Sequence, residues 1–220
     1  MSDRRLLSRG LDTLGIRVAD EVPERLSVYC SELLKWNRKI NLIARNTSPD
    51  ECIEKHFLDS LTLLPIIDSQ GERSVTLLDV GTGAGFPGLV LAAVRPGLTV
   101  TLVEPRQKRI TFLLHIIRTL ELTNVRLIGE RLEQADLDGQ EFTFITGRAV
   151  ADVDHFLAMI IPVVRPDTQV ITMTATDDSN QWTNGTRAKN WQLVEQRKFQ
   201  LPFSGVPRLV SVLSMYPSDI

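Results

Sequence analysis

The sequence predicts an α/β protein, and three observations support this prediction. Residues 74–104 contain, in order, a short apolar run, a glycine-rich turn, a second apolar run and a β-branched run, which is the pattern of a strand–helix–strand unit. Short strands and helices are predicted to alternate in the same way as far as residue 173. Before residue 70 the apolar residues follow helical spacing. We therefore expect an N-terminal helical subdomain, residues 1–70, followed by a Rossmann-like domain, residues 71–220.

The N-terminal region is predicted to contain an amphipathic helix after Pro23. Its apolar residues recur every three or four positions. They are Leu26, Tyr29, Cys30, Leu33, Trp36 and Ile40. The opposite face is basic and carries Lys35, Arg38 and Lys39, with Arg45 in the loop that follows. A face of this kind is either a solvated helix surface or a contact for an acidic partner, and the sequence leaves both readings open.

A second N-terminal helix is predicted to begin at Ser48. Ser48 is a capping residue, Pro49 occupies the first helical position and Glu51 stands three residues after the cap, which is the pattern of a capping box. Helical spacing continues to about Pro65, which is expected to loosen or end the helix.

The strand–helix–strand unit defines the predicted ligand site. Its first strand, Val75 to Val80, ends at a turn with glycines at alternate positions, Gly81, Gly83 and Gly85. Glycines permit positive φ and let a ligand lie against the backbone, and the next helix offers unpaired N–H groups. The second strand, Leu98 to Val103, ends at Glu104, a carboxylate suited to a ribose diol. A nucleotide-like ligand is therefore predicted.

Two cofactor classes compete for this turn. A dinucleotide fingerprint that starts directly after the strand would require glycine at position 86, where the chain has Phe86. A register shifted by two residues, with Gly83, Gly85 and Gly88, does satisfy the spacing. The nicotinamide alternative is weakened but stays open on spacing alone.

The rest of the chain supplies the remaining elements. The predicted helices cover residues 106–122 and 152–161, and the predicted strands cover residues 125–128, 142–145, 168–173, 192–199 and 209–215. The last two strands are predicted to form a hairpin that closes a seven-stranded sheet, mostly parallel with an antiparallel closing strand.

Composition limits the classes of function. With 220 residues and 43% hydrophobic content, the chain can bury a sizeable core. A net charge of −2 gives no overall attraction to nucleic acid or membrane, so an RNA partner would need a local basic surface. Cys30 and Cys52 lack metal-ligand spacing and are expected to be buried free thiols. We expect a cytoplasmic protein with neither a signal peptide nor a membrane span.

The segment from Asp79 to Gly85 resembles the first motif of class I S-adenosylmethionine-dependent methyltransferases. Over nearly its full length, the chain is similar to the bacterial small-subunit (16S) ribosomal RNA guanine-N7 methyltransferases, the glucose-inhibited division protein B family. Several separated signatures carry the similarity. They are Lys35-Trp36-Asn37, Ile40-Asn41-Leu42, His56 with Leu58-Asp59-Ser60, Asp79 to Gly88, Lys108-Arg109, Phe112-Leu113, Arg131 with Glu133, Arg148-Ala149, and Arg208-Leu209-Val210.

The resemblance implies a set of site residues, S-adenosyl-L-methionine as cofactor and 16S rRNA in the small ribosomal subunit as partner. The expected cofactor-binding residues are Gly81, Gly83, Phe86, Glu104, Leu132, Glu133 and Arg148. The expected RNA-binding residues are Arg131, Arg148 and Arg208, and Phe86 or one of the arginines is expected to stack on the substrate base. We also expect a monomer without a metal.

No catalytic general base is expected, because guanine N7 attacks with a free lone pair and loses no proton. His56 is expected to be structural rather than to line the site. The chain departs from the family pattern at Thr174-Ala175, where the family has Lys-Gly, and at Pro207, where an acid usually stands. Two alternatives therefore stay open: a methyltransferase for a small molecule or protein, and a cofactor- or ribosome-binding module without turnover.

Overall fold

The structure, a computed structural model, describes residues 2–71, 74–148, 153–174 and 190–216. The predicted positions Ala149, Asp152 and Ala175 lie outside these residues. Seven strands form one sheet: β1 (Val75–Val80), β2 (Leu98–Val103), β3 (Val125–Ile128), β4 (Phe144–Thr146), β5 (Gln169–Thr174), β6 (Trp191–Gln200) and β7 (Pro207–Met215). Their order is β3-β2-β1-β4-β5-β7-β6, and β7 is antiparallel to both of its neighbours. The predicted fold class is therefore confirmed, including the antiparallel strand in the closing hairpin.

Helices precede and cover the sheet. In the N-terminal region they are α1 (Asp3–Leu14), α2 (Val22–Asn37), α3 (Pro49–Cys52), a π-helical stretch (Ile53–Leu58), α4 (Asp59–Leu61), α5 (Leu64–Ile67) and a 3-10 turn (Asp68–Gln70). Later helices are α6 (Gly88–Val94), α7 (Gln107–Thr119) and α8 (Val153–Ile160), with 3-10 turns at Leu132–Gln134 and Ile161–Val163.

The predicted start of the second N-terminal helix is confirmed in detail. The Ser48 hydroxyl accepts the Glu51 N–H at 3.2 Å, and the Glu51 carboxylate accepts the Ser48 N–H at 3.1 Å. This reciprocal pair satisfies two backbone donors at the helix end. The helical stretch ends at Leu61, before Pro65 is reached, and Pro65 instead lies in the first turn of the short helix α5, where proline is tolerated.

Two apolar clusters lie on opposite faces of the sheet. One face of β1 presents Leu77 to a cluster shared with α1, α2, α6 and α7, and the other presents Leu78 to a cluster shared with α8. This alternation is the period-two pattern of a strand buried on both sides. The N-terminal helices therefore share a core with the sheet, and their separation at residue 70 as a subdomain stays a prediction.

Cys30 and Cys52 are buried free thiols, as predicted. Within the described residues, no helix combines the length and apolar character needed to cross a membrane.

Candidate functional site

The glycine turn after β1 adopts the backbone that the sequence predicts. Gly81, Gly83 and Gly85 have φ values of 69°, 64° and 92°, in the region that favours glycine. A Cβ atom on Gly81 would meet no atom within 4 Å, whereas one on Gly85 would lie 2.1 Å from the Tyr29 hydroxyl. The turn therefore has an open side at Gly81 and a tightly packed side at Gly85.

Asp79, the last but one residue of β1, supports the turn from below. It is fully buried, and its Oδ2 accepts hydrogen bonds from the Thr82 hydroxyl at 2.6 Å and the Gly88 N–H at 2.8 Å. Its Oδ1 is buried without a partner. Burial raises the pKa of Asp79 to about 6, against the opposing effect of the two hydrogen bonds.

This raised pKa predicts a pH-dependent contribution to stability. Free aspartate titrates near pH ~3.9, so between there and about pH 6 the folded protein binds more protons than the unfolded chain. The contribution of Asp79 is therefore complete below pH ~4 and is lost as the pH rises through about 6. In Asp79→Asn, which does not titrate, this slope should disappear.

Urea unfolding of the wild type and Asp79→Asn at pH 4 and pH 7.5 tests this prediction. The free energy of unfolding of the wild type, relative to the variant, should fall by about 3 kcal/mol between the two pH values. A difference that does not change with pH would show that Asp79 is ionised throughout this range.

Glu104 lies at the end of β2, beside the glycine turn, as predicted. It is 1% exposed. Its Oε2 accepts from the Gly83 N–H at 3.0 Å and from Arg109 Nη1 at 3.2 Å, and its Oε1 accepts from the Arg106 N–H at 3.0 Å. A carboxylate has about four acceptor positions, so these three donors leave capacity for a further hydroxyl.

Phe86 lies inside the protein rather than on its surface. Its ring is stacked with those of His56, 5.0 Å away, and Tyr29, 6.0 Å away, and the Arg148 guanidinium lies 4.6 Å above its centroid. The residue is 2% exposed. The expectation that Phe86 stacks on a substrate base is therefore wrong in this arrangement, because aromatic and guanidinium groups of the protein already cover the ring.

Arg148, predicted to contact cofactor and RNA, is half-buried at the end of β4. Its Nη1 donates to the Lys55 carbonyl at 3.1 Å, and its Nη2 donates to His56 Nδ1 at 2.8 Å. Burial lowers the pKa of Arg148, and the nearby carboxylates of Asp59 and Asp79 oppose this shift.

Arg208, predicted to contact RNA, lies close to the same N-terminal stretch. Its Nε donates to Asp59 Oδ1 at 2.8 Å. Burial raises the pKa of Asp59, while Arg208 and Arg148 act in the opposite direction. Pro207, which stands directly before Arg208, carries no carboxylate, so Asp59 is the acid that Arg208 contacts among the described residues.

The predicted site residues that follow β3 differ in how far they are exposed to solvent. Leu132 is 7% exposed and belongs to the apolar cluster on the α8 face, whereas Arg131 and Glu133 are exposed. The basic residues of α2 and its loop, Lys35, Arg38, Lys39 and Arg45, are exposed as well. The structure therefore brings Arg148 and Arg208 to one carboxylate, while Arg131 keeps its side chain in solvent.

Sequence reasoning assigned no role to Asp59 or Tyr29. Asp59 contacts a residue 149 positions away in the chain, and the Tyr29 hydroxyl donates to the Ala84 carbonyl at 2.5 Å inside the glycine turn. Asp59 did fall within one of the signature segments, which was the only signal in the sequence that pointed to it.

Comparison with known proteins identifies the family. The family model for rRNA small subunit methyltransferase G matches residues 23–208. The protein named ribosomal RNA small subunit methyltransferase G of Desulfotalea psychrophila is 41% identical over 94% of this chain and 96% of its own length. The protein of the same name in Myxococcus xanthus is 38% identical over 94% of this chain and 95% of its own. The chain belongs to the rRNA small subunit methyltransferase G family.

Solved structures agree on the fold. The N-methyltransferase NodS of Bradyrhizobium japonicum, in complex with S-adenosylhomocysteine, superposes with a TM-score of 0.55, 14% identity and coverage of 85% of this chain and 98% of its own. The 1,6-didemethyltoxoflavin N1-methyltransferase of Burkholderia thailandensis superposes with a TM-score of 0.57 and 15% identity, and the match covers 86% of this chain and 89% of its own. At this identity the likeness shows a class I methyltransferase fold.

A member of the rRNA small subunit methyltransferase G family with this fold is an S-adenosylmethionine-dependent methyltransferase. The residues present fit this cofactor. The open side of the turn at Gly81 leaves room for a ligand against the backbone, and Glu104 can accept a ribose hydroxyl. The unpartnered Oδ1 of Asp79 adds a buried negative group under the same turn.

Proposed function

We propose that this protein transfers a methyl group from S-adenosylmethionine to N7 of a guanine in the 16S rRNA of the small ribosomal subunit. The observation that carries the proposal is the family match over residues 23–208, which includes the glycine turn, Glu104 and the three arginines Arg131, Arg148 and Arg208. We propose that the reaction takes place in the cytoplasm, where small subunits are assembled.

The geometry of the turn supports part of a proposed set of cofactor contacts. We assign Gly81 and Gly83 to backbone contacts with the cofactor, Glu104 to its ribose, and Leu132 and Glu133 to the side of its adenine ring. When bound, S-adenosylmethionine supplies a sulfonium methyl group that a lone pair can attack. The protein's part is to hold base and cofactor in line and to exclude water, which contributes about 7–11 kcal/mol in favourable cases.

The surroundings of the turn suit a reaction that needs no general base. His56 is the histidine that packs on Phe86, and its Nδ1 lone pair accepts a hydrogen bond from Arg148. Burial, together with Arg148 and Lys55, lowers the pKa of His56 to about 3, so the ring stays neutral. Guanine N7 carries a lone pair and no proton, so its attack on a methyl group requires no base at this position.

The RNA contact rests on charge. Arg131 is exposed, and the guanidinium groups of Arg148 and Arg208 reach the surface with 18% and 17% of their side chains. We propose that these arginines surround the site and that, in a protein of net charge −2, they provide local attraction for phosphate that the whole chain lacks. We propose that the basic face of α2 extends this contact.

The test uses purified protein, methyl-labelled S-adenosylmethionine and small ribosomal subunits from cells that lack this enzyme. We expect label in the 16S rRNA, at N7 of one guanine. Subunits from cells that contain the enzyme are the matched control and should accept little label. Cofactor binding without transfer would support a non-catalytic module, and label in protein or small molecules would support the other alternative.

A further inference from the structure

Asp59 is a buried carboxylate shared by two arginines from distant parts of the fold. It is 4% exposed. Arg208, near the start of β7, donates its Nε to Asp59 Oδ1 at 2.8 Å, and Arg148, after β4, places Nη1 3.8 Å from Oδ2. One carboxylate therefore faces two guanidinium groups, and the carboxylates of Asp79 and Glu54 also act on this cluster.

His56, three residues before Asp59, fixes the direction of Arg148. A guanidinium only donates hydrogen bonds, so His56 Nδ1 must be the acceptor in the 2.8 Å contact with Arg148 Nη2. Together with the Lys55 carbonyl, which accepts from Arg148 Nη1, this contact holds the guanidinium 4.6 Å above the Phe86 ring. Phe86 directly follows Gly85, so Arg148 is held at the border of the cofactor turn.

Toward the part of the chain that the structure describes, the two guanidinium groups use only some of their donors. Each has five N–H groups, of which Arg148 and Arg208 each donate two to described residues. Both side chains are partly exposed, at 18% and 17%. Planar guanidinium groups bind phosphate oxygens in pairs and with defined direction, so their orientation determines where a phosphate can sit.

We propose that Asp59 and His56 are positioning residues for methyl transfer. They hold Arg148 and Arg208 at fixed places beside the glycine turn, where the two guanidinium groups bind an RNA phosphate next to the target guanine. The role rests on the proposed function. A positioning role differs from a purely structural role in what a substitution changes. Substitution of a positioning residue lowers the rate of methyl transfer, whereas substitution of a structural residue lowers stability.

The variant Asp59→Asn separates these roles. It keeps the shape of the side chain and one acceptor oxygen but removes the negative charge, so the two guanidinium groups repel each other and change position. The loss of one negative charge makes the cluster more positive, so attraction for RNA is retained. With whole small subunits and saturating S-adenosylmethionine, we expect kcat to fall about 10–100-fold, the range for a displacement of about 1 Å, while KM for the subunits stays the same or falls.

Two variants of His56 test the same role without removing a charge. In His56→Gln the amide oxygen can still accept from Arg148, whereas in His56→Leu no acceptor remains. We expect kcat to fall about tenfold in His56→Leu and to recover most of this loss in His56→Gln. This pair decides the question if Asp59→Asn does not fold, since both side chains are close in size to histidine.

The matched control is Glu54→Gln, on the same helical stretch. Glu54 is 5% exposed and accepts the N–H groups of Phe203 and Ser204 at 2.6 and 2.7 Å, but it bonds to neither arginine. We expect a lower melting temperature with kcat unchanged. The positioning role is wrong if Asp59→Asn raises KM with kcat unchanged, if Glu54→Gln lowers kcat as much, or if the two His56 variants have equal kcat. A wild type that methylates no RNA would instead refute the proposed function, and the positioning role with it.

Discussion

Replacing Gly85 by alanine is expected to reduce the free energy of unfolding by about 3–8 kcal/mol, which is the sum of three costs. Gly85 has φ of 92°, where an L-residue is strained by about 1–2 kcal/mol. The new Cβ would lie 2.1 Å from the Tyr29 hydroxyl and 2.8 Å from Leu89 Cβ, so one of these groups must move. Displacement of Tyr29 also breaks its 2.5 Å hydrogen bond to the Ala84 carbonyl, which leaves a buried hydroxyl unpaired.

Urea unfolding without cofactor measures this effect, and Gly81→Ala is the matched control. Gly81 has φ of 69°, but a Cβ there would meet nothing within 4 Å, so only the conformational cost of about 1–2 kcal/mol should remain. The difference between the two variants isolates the clash with Tyr29. Equal losses in the two variants would show that α2 moves away from the turn at little cost.

The sequence predicted the strands best where one local pattern decides the structure. The predicted bounds of β1, β2 and β3 agree with the structure residue for residue, because each is a short apolar run bounded by glycine or polar residues. β4 was predicted from residue 142 but begins at Phe144. The Thr143 N–H instead donates to the Thr76 hydroxyl, and the Thr168 hydroxyl donates to the Phe142 carbonyl. Such side-chain contacts leave no periodic signal.

The part of the candidate site whose residues lie close together in the sequence was predictable. The glycines and Glu104 lie within one strand–helix–strand unit, where strand ends and turn residues follow known rules. The shared carboxylate of Asp59 was not predictable, because Arg208 is 149 residues away and only the closing hairpin brings it near. The covered ring of Phe86 was missed for the same reason, since Tyr29 and His56 come from the N-terminal helices.

Replacing Glu104 by glutamine is expected to weaken S-adenosylmethionine binding about 10–150-fold. In the wild type, both carboxylate oxygens accept backbone N–H groups, Gly83 at Oε2 and Arg106 at Oε1. A glutamine amide has a single oxygen, so in either orientation its NH₂ group faces one of these donors. The variant also loses the charge that pairs with Arg109 and attracts a ribose hydroxyl, and a hydrogen bond to a charged group contributes about 1.5–3 kcal/mol.

Calorimetric titration with S-adenosylmethionine at constant pH measures this loss. The matched control is Glu130→Gln, which removes the same charge from an exposed residue just after β3 and should leave Kd unchanged. A change in Glu130→Gln as large as that in Glu104→Gln would mean that overall charge, not the ribose contact, controls binding.

The fold of Glu104→Gln should survive, because the first part of the turn does not depend on that side chain. The Gly81 and Thr82 N–H groups donate to the Val103 carbonyl at 2.8 and 3.2 Å, and these backbone bonds remain in the variant. A melting temperature within a few degrees of the wild type, together with the weakened affinity, would therefore assign the loss to the cofactor contact. A large drop in melting temperature would show instead that Glu104 acts chiefly by holding Gly83 in place.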